Sequence, residues 1–169
     1  MKTTIVAATL LFFSVGCASP RNERLTQRQA EQIRSEVKAT QDSIIARWVR
    51  LNGKGAMEYY APGVVIVYDS LRMDYQAYRQ GWMAYDSAAA AVRIRPLRED
   101  FLVLTRDVAI ATWVGHAAYY AKSGDTVTTD PQIYSNVLMR VAGRWMVVFS
   151  NPSGVDVLHK AVAARRPRR

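Results

Sequence analysis

From Val108 onward the chain alternates apolar and polar residues through long stretches, interrupted at Ser123-Gly124-Asp125, Asp130-Pro131 and Ala142-Gly143. Period-two alternation marks strands with one buried face, and short glycine-bearing breaks mark hairpins. The pattern predicts strands over residues 108–121, 126–129, 133–141 and 144–150, with Asn151-Pro152-Ser153-Gly154 closing the domain. Pro131 cannot donate a ladder hydrogen bond, so it predicts a bend or an edge point. A meander of this kind has an apolar face that something else must cover, and the first half of the chain supplies the cover.

Thr26 and Gln29 stand at capping-box spacing. Ala30, Ile33, Val37, Ile44, Trp48 and Leu51 follow at intervals of three, four or their sum, seven, and Asn52-Gly53 is a stop. These features predict a first helix of about 25 residues. A helical turn or two fits residues 56–61, ended by Pro62-Gly63, and the β-branched run 64–69 predicts a strand. Asp74 is placed to cap a second long helix reaching about residue 90, with Tyr75, Tyr78, Trp82 and Tyr85 on one face. Arg95-Pro96 and Asp107 punctuate the next stretch, which holds a strand near residues 101–104. Helices first and hairpin-linked strands after predict an α+β fold. Its sheet is curved, mostly antiparallel and closed only into a half-open cone, with the N-terminal helices on the concave side.

The first residues carry a different message. Lys2 opens a short positive segment, residues 5–15 are apolar, and Gly16 precedes Cys17, the one cysteine of the chain. That order is an export signal, and the cysteine's place matches a bacterial lipoprotein signal, cut before Cys17 and followed by acylation of the thiol. Cleavage by ordinary signal peptidase after Ala18 is the alternative. An uncleaved span would need roughly 20 apolar residues, about twice what is present. The expected organisation is a signal over residues 1–16, a tether over 17–25, the folded domain over 26–157 and a basic tail over 158–169. With one cysteine no internal disulfide is expected, and a domain of this size can fold without one.

The formal charge is +9, which would suit nucleic acid if it were spread over the domain. Setting aside Lys2 and the tail cations Lys160, Arg165, Arg166, Arg168 and Arg169 leaves +3. The excess is therefore a tail property, suited to anionic head groups beside a lipid-anchored N-terminus or to solubility alone. No nucleic-acid partner is expected. No cofactor or metal is expected either. The chain has only two histidines and the domain no cysteine for a zinc site, and there is no P-loop, dinucleotide fingerprint or G-x-S-x-G elbow.

Three segments carry a family resemblance: Trp48-Val49-Arg50-Leu51-Asn52-Gly53-Lys54; Tyr59-Tyr60-Ala61-Pro62-Gly63-Val64-Val65-Ile66; and the closing hairpin from Asn136 to Val148 around Gly143-Arg144-Trp145. Taken in order, across residues 26–152, they resemble the nuclear transport factor 2-like superfamily, which includes SnoaL-like cyclases, ketosteroid isomerases and scytalone dehydratases. The resemblance implies a cone with an apolar pocket between sheet and helices, and a homodimer through the outer sheet face. Ketosteroid isomerases place a carboxylate base after the first strand, which falls here on Tyr68 or Asp69. Their oxyanion Asp falls near Ser135, and their oxyanion Tyr near Arg47 or Trp48, neither of which keeps the family's residue.

Asp69 is thus a candidate proton-abstracting base, with a strand-end turn residue as the plainer reading. His116 shares a strand face with Ile110, Thr112, Val114 and Tyr120. It is either a wall residue or the proton-transfer partner of Asp69. Tyr59, Tyr68, Tyr78, Trp82, Tyr85, Tyr119 and Ser135 are the candidate pocket lining, suited to a ring-bearing ligand if they are not simply core. Three functions stay open: a lipid-anchored envelope protein holding a small apolar or aromatic molecule, an isomerase or lyase using Asp69 and His116, and a non-catalytic assembly module. For the anchor, metabolic labelling with a fatty-acid analogue is predicted to mark the wild type and not Cys17→Ala. An unlabelled wild type contradicts it.

Overall fold

In a computed structural model, residues 24–68 and 71–154 are described. Cys17, Asp69, the signal segment and the basic tail lie outside them. Helix α1 (Gln27–Val49) opens with the expected capping box. Thr26 Oγ1 accepts from the Gln29 N–H at 3.3 Å, and Gln29 Oε1 accepts from the Thr26 N–H at 2.9 Å. Its buried stripe is Ile33, Val37, Gln41, Ile44 and Trp48. Asn52 does more than end α1: its Oδ1 accepts from the Gly55 N–H at 2.9 Å and caps the short α2 (Gly53–Ala56). A 3₁₀ turn (Met57–Tyr59) leads into β1 (Tyr60–Tyr68). After β2 (Leu71–Met73), α3 (Tyr75–Ala88) starts where Asp74 Oδ1 accepts from the Ala77 N–H at 2.8 Å.

The remaining strands are β3 (Ala89–Val103), β4 (Val108–Ala121), β5 (Thr126–Val141) and β6 (Arg144–Ser153). They form one six-stranded sheet in the order β2-β1-β6-β5-β4-β3, with β1 parallel to β6 and every other pair antiparallel. The sheet is curved and unclosed, with helices against one face, which is the α+β cone expected from the sequence.

Two strands are longer than the sequence pattern suggests. β3 runs straight through Arg95-Pro96, because as an edge strand it can spare the missing N–H at Pro96, and its register against β4 shifts between Pro96 and Arg98. β5 is continuous where two strands were expected. Asp130 and Pro131 form a bulge opposite His116, between the Gly115–Gln132 and Ala117–Thr129 pairs.

Two polar latches hold α1 on the sheet. In the core, Asn136 Nδ2 donates to Gln41 Oε1 at 3.0 Å, and the Ser150 hydroxyl donates to Asn136 Oδ1 at 2.6 Å. Nearer solvent, Glu36 Oε2 accepts from Trp145 Nε1 at 2.9 Å and from Arg140 at 2.7 Å, while the Arg140 guanidinium lies 4.7 Å from the centre of the Trp145 ring. The Trp145 N–H, followed by Arg140, holds the Glu36 carboxyl below the usual carboxylate range.

Asn136 and Ser135 are adjacent on β5 but face opposite ways, so they make a controlled comparison. Asn136→Ala strands the Gln41 and Ser150 side chains and is predicted to cost about 1–3 kcal/mol for each. Ser135→Ala, which gives up only a 3.4 Å contact with Thr112, is predicted to stay within about 0.5 kcal/mol. Urea unfolding of both variants checks the difference.

Candidate functional site

The concave face of β4 is built from small residues: Ala109, Ala111, Gly115 and Ala117, with Trp113 and Tyr119 between them. A Cβ at Gly115 would run into the six-membered ring of Trp113. The space left above these small residues is occupied by rings from the helices and from β5. Trp48 of α1 meets Trp82 edge-on at 5.3 Å, Tyr134 at 5.8 Å and Tyr85 at 6.3 Å. Tyr85 continues to Tyr119 at 4.6 Å, and Trp113 to Tyr134 at 6.2 Å. Tyr78 bridges Trp82 and Tyr60. Burial raises the phenols of this layer, Tyr78 to about 12 and Tyr60, Tyr85, Tyr119 and Tyr134 upward as well, so they stay neutral.

At one end of the ring layer, beside the β5 bulge, the polar groups are not paired off. Gln132 is fully buried, and neither its amide nitrogen nor its amide oxygen has a hydrogen-bond partner among the described residues. The same holds for the Thr129 hydroxyl, the Tyr119 hydroxyl and the Trp113 N–H. Register places them along one inward face of β4 and β5. Gln132 lies opposite Gly115 and Thr129 opposite Ala117, while Trp113 and Tyr119 lie two residues beyond those partners on the same face of β4. Each buried, unpaired group costs roughly 1–3 kcal/mol, and interiors seldom carry several at once.

Asp86 forms a second unusual feature at the end of α3. Its Oδ2 accepts from the Gly53 N–H at 2.5 Å, its Oδ1 is buried without a hydrogen-bond partner, and burial raises its pKa.

Of the residues singled out from sequence, Tyr68, Tyr78, Trp82, Tyr85 and Tyr119 are all buried in the core that holds the ring layer. Tyr59 is half-buried at its edge, 5.2 Å from the guanidinium of Arg47. Ser135 and His116 are on the other side of the sheet. Ser135 faces Thr112 there, while Tyr134 and Asn136 take the inward positions. His116 Nδ1 lies 2.7 Å from Asp130 Oδ1, so the carboxylate it meets is the one presented by the bulge. Asp69 and Cys17 lie outside the described residues.

Gln132, Thr129 and Trp113 were not singled out by sequence. Reading Asp130-Pro131 as a break between strands leaves Gln132 in a loop, and only the bulge shows that it turns inward. Among the described residues there is no group of three or more His, Cys, Asp or Glu side chains that could hold a metal, and no helix long and apolar enough to cross a membrane.

No protein-family model matches the chain, and no curated protein matches it. Solved structures do. A Novosphingobium aromaticivorans protein, provisionally named a scytalone dehydratase, superposes with a TM-score of 0.69 at 8% identity, covering 75% of this chain and 87% of that one. A Streptomyces avermitilis protein of the nuclear transport factor 2-like family, provisionally named a dehydratase, gives 0.63 at 10% identity over 73% of this chain and 96% of its own. A nuclear transport factor 2-like superfamily protein from Salmonella enterica gives 0.62 at 12% identity, covering 77% and 93%. At such identities the likeness is one of fold, and the chain has the cone fold of the nuclear transport factor 2-like superfamily.

Proposed function

We propose that this chain is an exported, lipid-anchored cone protein that holds a small aromatic molecule bearing a polar group, without transforming it. The observation that carries the reading is the set of unpaired polar groups at the end of the aromatic layer: the Gln132 amide, the Thr129 and Tyr119 hydroxyls and the Trp113 N–H. A planar ligand slid among the rings would exchange ring–ring contacts of about 0.5–1.5 kcal/mol each for its own. Its hydroxyl or carbonyl would satisfy donors and acceptors that otherwise destabilise the fold. Export rests on the segment ending at Cys17. Binding is favoured over proton transfer because His116 meets Asp130 on the face turned away from the rings. The dehydratase names of two structural neighbours belong to those proteins, and the fold alone does not transfer an activity.

The homodimer implied by the family resemblance is part of the proposal. Half-exposed Ile110, Val114, Ile133 and Val137 on the outer sheet face support it, and a monomer in sedimentation velocity would remove it.

The probe for the aromatic layer is 2-naphthol, with naphthalene as its counterpart lacking the hydroxyl. Calorimetric titration of the wild type is predicted to show 2-naphthol binding about tenfold more tightly, the worth of one net hydrogen bond. In Gln132→Leu that preference disappears while the protein becomes more stable by about 1 kcal/mol or more, since an unpaired amide is replaced by a side chain of similar size. Equal binding of the two probes to wild type contradicts the polar role of Gln132, and binding of neither contradicts the aromatic layer as a binding site.

A further inference from the structure

The outer face of the sheet carries a second cleft, of about 510 Å³, where β3, β4 and β5 meet at the bulge. Arg93, Arg95, His116, Tyr120, Thr128 and Asp130 line it. Arg95 pairs in register with His116, and Arg93 with Ala118, so both arginines rise from β3 on the face that carries the imidazole. Alternate residues on a strand stand about 7 Å apart, a separation that two guanidinium groups can close around one anion. Neither arginine has a carboxylate partner among the described residues. In contrast, Arg47, Arg98 and Arg140 each have one.

The two arginines are not equivalent. The Arg93 guanidinium lies 5.5 Å from the centre of the Tyr120 ring, which restricts its range and lowers the entropy lost when it grips a ligand. Arg95 is exposed and reaches from the neighbouring position. Asp130, brought round by the bulge, sits 2.7 Å from His116 Nδ1. A carboxylate at that nitrogen fixes Nδ1 as the donor and directs Nε2 elsewhere, as in other carboxylate–imidazole pairs.

We infer that this cleft binds a phosphate group, with Arg93 and Arg95 as its charged donors and the Asp130–His116 pair forming the wall beside them. A phosphate monoester suits the pair of guanidinium groups in charge and in the number of acceptor oxygens, whereas a single carboxylate would leave one arginine unmatched. The site opens on the opposite side of the sheet from the concave aromatic layer, with Thr129 bordering both, and its arginines stand whether or not that layer holds a ligand. Its phosphate could belong to a soluble monoester or to the monoester head group of a phosphatidic acid, and the two sources present the same three oxygens.

The test is made on the full chain with two probes. Phenyl phosphate is titrated calorimetrically, and vesicles of phosphatidic acid in phosphatidylcholine are used in co-sedimentation. R93Q and R95Q are each expected to weaken the responding probe by about tenfold or more, the loss of a charge-assisted hydrogen bond. R98Q, on the same strand but paired with Asp100, leaves it unchanged. Arginine-dependent binding of phenyl phosphate identifies a soluble monoester. Arginine-dependent binding of vesicles alone identifies a head group, the comparison with R93Q being needed because the basic tail also attracts such vesicles. Circular dichroism and thermal midpoints confirm that the variants are folded. Binding of neither probe, or binding indifferent to the R93Q/R95Q pair, overturns the inference.

Discussion

The interior of this cone depends on one indole. Trp48, near the end of α1, touches Trp82 and Tyr85 of α3 and Tyr134 of β5, so a single side chain joins both long helices to the sheet. Rings are large, rigid and few in rotamers, and they bury much surface for little conformational entropy. They also need room. The small residues along the inner face of β4 provide it, and the helices fill it with Trp48, Tyr78, Trp82 and Tyr85. The Gln41–Asn136–Ser150 latch then fixes how α1 lies across the sheet, because sliding the helix would strand buried amides.

The bulge at Asp130-Pro131 organises both candidate sites. On one side of the sheet it turns Gln132 inward, where the amide is buried with no partner among the described residues. On the other it brings Asp130 to His116 beside two arginines. One extra residue in one strand thus sets the polar end of the aromatic layer and the charged cleft behind it. Such bulges cost regular pairing and are common next to functional sites.

Much of the architecture could be read from the sequence because its signals are local. The capping box at Thr26, the N-cap at Asp74 and the alternation through Val108–Ala121 each depend on residues a few positions apart, and each matches the structure. Which face of β4 is concave could not be read in the same way. Hydrophobicity points to the face of Ile110, Val114 and His116, yet the core lies on the face of alanines, Gly115, Trp113 and Tyr119. The buried area on that side is supplied by partners from other elements, and a strand's own composition does not reveal them. Ser135 shows the same limit, since it was expected near the pocket while its neighbours Tyr134 and Asn136 hold the inward positions. The inward turn of Gln132 needs the register of β4 against β5, a non-local quantity.

The central claim is that the aromatic layer and its unpaired polar end accommodate a guest. Native mass spectrometry of the protein purified gently from its native cells tests that most directly. The predicted result is a bound form, heavier than the ligand-free protein by one small molecule, whose adduct is lost in Gln132→Leu. A spectrum showing only the ligand-free protein, in wild type and variant alike, would contradict it.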